Sequence, residues 1–266
     1  PRAWTLQNID GQPGDEILTI ESRTGRVKVH KVVRPQSEEG ELAGRMIFYG
    51  FGSHGSGRNT DLDIGDVDGD GLDDVVVTDP DGAQVIVFLQ HKQTGLDQGH
   101  VFPSLTDAQQ VRVGNLDDDP KQAEVIILSE KENAIGFSRM TDGRLTFPRV
   151  LPLVKEPMAV ELADLDHDGK DELICLSRDK EAGSSTYELS AFSQQKDGEW
   201  TPQLFSKMQL ETVTVKLKNK PERLMKLDAN ADGRIDFLVF AGSEPVLFLS
   251  DAEGILNLHE NQRGLG

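Results

Sequence analysis

Three segments of the chain repeat one arrangement of oxygen-bearing side chains. They are Asp66-Val-Asp68-Gly-Asp70-Gly71-Leu72-Asp73-Asp74, Asp164-Leu-Asp166-His167-Asp168-Gly169-Lys170-Asp171-Glu172 and Asp228-Ala-Asn230-Ala-Asp232-Gly233-Arg234-Ile235-Asp236. Oxygens at positions 1, 3 and 5 of such a loop can turn toward one centre. Glycine at position 6 allows the sharp turn that aims the position 7 carbonyl inward, and an acid at position 9 closes the far side. Hard cations that take six to eight oxygen ligands suit this donor set, and calcium is the biological one that does. The expected ligands are therefore Asp66, Asp68, Asp70, Leu72 and Asp74; Asp164, Asp166, Asp168, Lys170 and Glu172; and Asp228, Asn230, Asp232, Arg234 and Asp236. Two loops carry acids at both positions 8 and 9, but the third has Ile235 at position 8, which favours position 9 as the closing ligand.

An EF-hand starts in the same way but needs a Glu at position 12 and flanking helices. Position 12 here is Val77, Cys175 and Val239, each inside an apolar, β-branched or aromatic run, so that reading fails. Two further segments are degraded copies. Asn8-Ile9-Asp10-Gly-Gln12-Pro13-Gly-Asp15-Glu16 lacks the position 5 acid and the position 6 glycine. Asn115-Leu-Asp117-Asp118-Asp119-Pro120-Lys-Gln-Ala-Glu124 has proline for glycine and one extra residue. Weak additional sites near Asp10 and Asp117 are expected at most. Any single acidic turn is explained by the turn preference of Asp, Asn and Gly, but three full matches in phase are not.

The elements around the loops repeat with them. First residues of the five loops are 58, 49, 49 and 64 positions apart. Four residues before each stand Trp4, Leu62, Val111, Val160 and Leu224, and two before stand Leu6, Ile64, Val113, Leu162 and the exception Lys226. This alternation marks a half-buried strand entering the loop. Directly after come Ile17–Ile20, Val75–Val77, Val125–Leu128, Leu173–Leu176 and Phe237–Phe240, which read as buried strands. Two more strands per unit follow, such as Arg26–Val32 and Arg45–Tyr49, Gln84–Leu89 and His100–Phe102, or Tyr187–Phe192 and Trp200–Leu204. Four strands per roughly 50 residues, repeated, is the β-propeller pattern. The expected fold is all-β, a propeller of five four-stranded blades, either a closed five-bladed ring or five blades of a larger one. A single propeller domain over 1–266 would have units near 1–58, 59–107, 108–156, 157–220 and 221–266.

Composition agrees with this reading. Net charge is −18, which disfavours nucleic acid and anionic membrane as partners. Twenty of the 46 acidic residues lie inside the five loops, so the acidity is mainly a metal signature. No apolar run is long enough to span a bilayer, so membrane insertion is not expected. The single Cys175 excludes an internal disulfide framework and sits in a core-like run, and no N-glycosylation sequon is present. The start at Pro1, without Met or a leader, suggests a processed product or a piece of a longer precursor.

The five loops and their flanking strands resemble the FG-GAP/VCBS repeat family, whose propellers include the head of integrin α-subunits. The resemblance covers nearly the whole chain. It implies that each loop joins two strands of a blade and that calcium at the matching residues of loops two, four and five stiffens the ring. It also implies an extracytoplasmic protein (secreted, periplasmic or cell-surface) that binds a protein or glycan partner.

No catalytic constellation stands out. The six histidines form no His-Glu-x-x-His pair, and Gly-x-Ser-x-Gly and a Walker loop are absent. Gly50-Phe-Gly-Ser-His-Gly55 matches a dinucleotide fingerprint, yet no helix is expected after it. The stretch Tyr49 to Asn59, glycine-rich with an aromatic, a His and Arg58, reads as a flexible connection or a ligand-contacting loop. Lys216, Lys218, Lys220, Arg223 and Lys226 form a basic run, a solvated connection or a dock for an acidic partner. The expected function is a non-catalytic, calcium-stabilised binding or structural module. The alternative is a propeller enzyme, or a subunit of one, acting on polysaccharide, since acids from several blades can gather without a sequence signature.

Overall fold

In a computed structural model of the chain, the structure describes residues 4–9, 14–21, 23–24, 26–33, 45–51, 60–92, 95–179, 185–203, 212–242, 245–251 and 256–259. Every regular element among them is a β-strand. The first sheet runs in chain order through β1 (Trp4–Gln7), β2 (Glu16–Ile20), β3 (Val27–Val33) and β4 (Arg45–Phe51). The second comprises β5 (Leu62–Gly65), β6 (Asp74–Asp79), β7 (Gln84–Phe88) and β10 (His100–Pro103), with a small hairpin of β8 (Gln90–His91) and β9 (Gly95–Leu96) between the last two. The third has β11 (Gln110–Gly114), β12 (Glu124–Ser129), β13 (Ala134–Ser138) and β16 (Arg149–Leu151), interrupted by the hairpin β14 (Met140–Thr141) and β15 (Arg144–Leu145). The fourth has β17 (Pro157–Ala163), β18 (Glu172–Arg178), β19 (Thr186–Gln194), β20 (Trp200–Gln203) and β21 (Thr212–Lys216). The fifth has β22 (Arg223–Leu227), β23 (Asp236–Phe240), β24 (Val246–Ser250) and β25 (Leu256–His259). The first, second and fifth sheets are antiparallel meanders of consecutive main strands.

The fourth sheet carries a strand that the sequence pattern did not announce. β19 is long enough for two partners along one edge: β20 pairs with its residues 191–194 and β21 with 186–190. The basic run over Lys216 to Lys226 spans three elements. Lys216 ends β21, Lys218 and Lys220 lie in the turn after it, and Arg223 and Lys226 belong to β22. Of the glycine-rich stretch, Tyr49 to Phe51 end β4, and the remainder lies outside the described residues.

The chain forms two compact units, one of residues 1–113, 121–132 and 136–149, the other of 114–120, 133–135 and 150–266. In the first, Leu18, Ile20, Val27 and Val29 pack with Leu62, Val75, Val77, Ile86 and Phe88 between the first two sheets. In the second, Ile174, Leu176, Leu189 and Val215 pack with Leu224, Phe237, Val239 and Phe248 between the fourth and fifth. Burying each such side chain stabilises by about 1.5–3 kcal/mol. The second strand of a sheet shows how it is covered. β6, β12 and most of β18 are buried at every residue, whereas Ile17 and Thr19 in β2, and Leu238 and Phe240 in β23, alternate to partial exposure. Trp4 accordingly differs from its equivalents, being 53% exposed while Leu62, Val111, Val160 and Leu224 are buried, and Leu6 is 51% exposed where Ile64 and Val113 are half-buried and Leu162 is buried. The first sheet uses its other face against the second, which leaves these two side chains uncovered within their unit.

Candidate metal loops

Each intact loop is the turn of a hairpin between the first and second strands of a sheet. The residue before position 1 pairs with position 9: Gly65 with Asp74, Ala163 with Glu172 and Leu227 with Asp236. Eight residues are folded between them by a recurring set of bonds. In all three loops the position 1 carboxylate accepts the backbone N–H groups of positions 5 and 6, from Asp70 and Gly71 to Asp66, from Asp168 and Gly169 to Asp164, and from Asp232 and Gly233 to Asp228, at 2.7–3.1 Å, and Asp66 accepts that of Gly69 as well. Position 3 accepts the position 5 N–H at 3.1 Å in all three loops. Position 5 accepts the position 7 N–H, from Leu72, Lys170 and Arg234, at 2.9 Å. Position 6 is left-handed, with φ of 85°, 89° and 81° at Gly71, Gly169 and Gly233. Position 4 is left-handed too, at Gly69, His167 and Ala231. That second requirement escapes sequence reasoning because His167 and Ala231 tolerate it, at a cost of roughly 1 kcal/mol each.

Oxygens converge in two of the loops. Carboxylate atoms of Asp66, Asp68 and Asp74 all lie within 4.8 Å of one another, and so do those of Asp164, Asp166 and Glu172. Asp70 and Asp168 stand outside these groups. Loop five has Asn230 at position 3, so only Asp228 and Asp236 supply carboxylates at the positions that converge in the other two loops. There the Asn230 amide donates to Asp232 at 2.8 Å, and the Arg234 guanidinium also pairs with Asp232. Backbone N–H groups, Gly233 first, hold Asp228 below the usual carboxylate range.

Position 9 is buried in every repeat, at Glu16, Asp74, Glu124, Glu172 and Asp236. It accepts the position 2 N–H in four of them, from Ile9, Val67, Leu165 and Ala229 at 2.8–3.1 Å. Its second oxygen takes the N–H of Gln90 in β8 for Asp74, and reaches the third strand for Glu172 and Asp236, taking the hydroxyl of Ser193 and the N–H of Ser250. Burial outweighs these bonds at two sites and pushes Asp74 and Glu172 up to about 7, with the neighbouring loop carboxylates adding to the rise. Among the described residues no Lys or Arg pairs with either. The degraded loops differ: Lys31 lies 3.7 Å from Glu16, and Arg139 lies 2.7 Å from Glu124.

Position 8 faces a neighbouring sheet. The Gln7 amide donates to Asp73, and the Asn115 N–H donates to Asp171 at 3.1 Å. The backbone repeats the link, with Ala123 N–H to the Asp66 carbonyl at 2.7 Å and Asp171 N–H to the Asn115 carbonyl at 2.6 Å. Sheets approach so closely there that a Cβ on Gly65 would stand 2.6 Å from Val113, and one on Gly114 2.5 Å from Asp171. Burial raises Asp171 above the usual range, opposed by the nearby Lys226 charge.

The remaining expectations fall away from any chemistry. Cys175 is buried, and burial pushes its thiol up, so it is an unreactive core residue. Val77, Cys175 and Val239 lie inside β6, β18 and β23. Sequence spacing did not bring His91 and His100 together, but both approach Asp97, at 3.7 and 2.8 Å. Asp97 also accepts the Leu89 N–H at 3.0 Å, so it holds the small hairpin.

Solved structures resemble the whole described succession of sheets. A Lactobacillus plantarum protein matches with a TM-score of 0.57 at 14% identity, over 92% of this chain and 67% of that one. The fold is that of a β-propeller. An Agrocybe aegerita lectin specific for non-reducing terminal N-acetylglucosamine matches with a TM-score of 0.51 at 15% identity, over 96% of this chain and 64% of the lectin. The BBS1N protein, solved in complex with ARL6DN, matches at 0.52 and 8% identity, over 96% of this chain and 79% of that one. The chain thus spans about two thirds of the length of the first two. At these identities the likeness concerns fold alone. No protein family and no curated protein matches the chain.

Proposed function

We propose that this chain is a non-catalytic binding module, a propeller of the FG-GAP/VCBS type that works outside the cytoplasm with calcium in its loops. The observation that carries the calcium reading is the pair of converged oxygen groups, Asp66/Asp68/Asp74 and Asp164/Asp166/Glu172, each containing a buried carboxylate with no basic partner among the described residues. The donors fit the ion: hard carboxylate oxygens, close together, on loops already folded by their own backbone bonds. Bound calcium would supply counter-charge to carboxylates that otherwise repel one another, and so tie the first two strands of a sheet to their loop. Loop five fits less well, because Asn230 at position 3 gives it one carboxylate fewer; its Asp232 meets Arg234 much as Asp168 meets Lys170 in loop four.

A binding role is supported by the lectin and the protein-complex subunit among the fold's likenesses. Within the second unit, a cleft of about 560 Å³ beside the junction of β20 and β21 brings Glu156, Arg178, Glu188 and Phe192 together, a mixture suited to a protein or glycan. Calcium titrated into chelated protein should raise the melting temperature and bind at two sites or more. A melting curve indifferent to calcium would overturn the metal reading.

A further inference from the structure

The five loops sort into two classes by more than their own residues. In β-pairing, Ile17 stands opposite His30, which sets Lys31 beside Glu16. By the same register Val75 opposite Phe88 sets Leu89 beside Asp74, Leu173 opposite Phe192 sets Ser193 beside Glu172, and Phe237 opposite Phe248 sets Leu249 beside Asp236. In the third sheet Arg139 directly follows β13, and its guanidinium meets Glu124 at 2.7 Å. A base thus faces the buried acid in loops one and three, and a neutral residue faces it in loops two, four and five. The same division runs through the loops themselves. Loops one and three have Asn at position 1 and Pro at position 6 (Asn8 and Pro13, Asn115 and Pro120), whereas the others have Asp and Gly.

A buried carboxylate is stabilised by counter-charge where it stays ionised and takes up a proton where counter-charge is missing. The position 9 acid persists in all five repeats, and in loops one and three a base stands beside it. We infer that Lys31 and Arg139 take the place of a bound ion in loops one and three, which makes those two loops independent of metal. Loops two and four, with Leu89 and Ser193 at the same register, are left to a divalent cation. The Asn115 side chain, uncharged where the intact loops have Asp, donates from its amide nitrogen to the Gly169 carbonyl at 2.8 Å. This inference rests on the calcium reading for the intact loops, but the roles of the two bases can be tested without it.

Two variants test it, with melting temperature and bound-calcium stoichiometry by native mass spectrometry as readouts. Arg139→Gln removes the counter-charge of Glu124 and should lower the melting temperature by roughly 4 °C or more, equally in calcium and in chelator. Ser193→Arg installs a base beside Glu172. It should bind one calcium fewer than the wild type, while melting in chelator at or above the wild-type temperature. An Arg139→Gln protein that melts like the wild type, or a Ser193→Arg protein with the full calcium complement, would overturn the substitution. A wild type that binds no calcium would overturn the metal reading instead, and the effect of Arg139→Gln would still stand or fall separately.

Discussion

Asp74 and Glu172 are carboxylates that the backbone holds in place and the core does not tolerate as charges. Each accepts a backbone N–H from position 2, and each is pushed by burial to about 7. The sign of the consequence follows from linkage. Below about pH 4, the ordinary carboxylate range, both folded and unfolded chains hold these protons. Between about 4 and 7 the folded state keeps protons that the unfolded chain has released, so stability declines as pH rises through that window. In chelator the urea midpoint should therefore be lower at pH 8 than at pH 5.5. The double variant Asp74→Asn, Glu172→Gln should flatten that slope; an unchanged slope would show that other groups set it.

At the scale of elements, the hairpin between first and second strands is both a loop scaffold and the point where sheets meet. Position 9 looks inward to its own sheet, while position 8 reaches to the neighbour, at Asp73 and Asp171. Glycine before the loop permits this approach at two places. A Gly65→Ala change puts a methyl group 2.6 Å from a Val113 methyl carbon, on a β-branched side chain with little freedom to turn. It should cost about 1–3 kcal/mol, measured as a lower urea midpoint. Gly71→Ala has open space around it but a φ of 85°, and should cost only about 1 kcal/mol. A Gly65→Ala protein as stable as the wild type would show that the Val113 contact can give way at no cost.

For the whole molecule the dominant electrostatic fact is a net charge of −18, concentrated where hairpin loops gather acids. Without divalent ions that charge opposes compaction, and salt relieves it because the Debye length shrinks from about 10 Å at 0.1 M to about 3 Å at 1 M. Raising sodium chloride from 0.05 to 0.5 M in chelator should increase the melting temperature. In saturating calcium the same change should do little. A salt effect of equal size under both conditions would argue that the repulsion lies outside the loops. The cores contribute independently of ions, through Phe88 in one unit and Phe237 and Phe248 in the other.

Sequence alone determined the all-β class, five strand–loop–strand repeats and the nine-residue loops, because each rests on short-range rules. Strand alternation, turn chemistry and carboxylate spacing all act within about ten residues. Tertiary structure decided what those rules cannot reach. It showed that Asp70 and Asp168 stand outside the converged groups, and that Arg234 engages loop five. It also split the partners of β19 between β20 and β21, left Trp4 and Leu6 exposed, and set Lys31 and Arg139 against Glu16 and Glu124. In each case the deciding contact joins side chains to strands or sheets whose register no local pattern encodes, and a buried charge finds its partner only once that register exists.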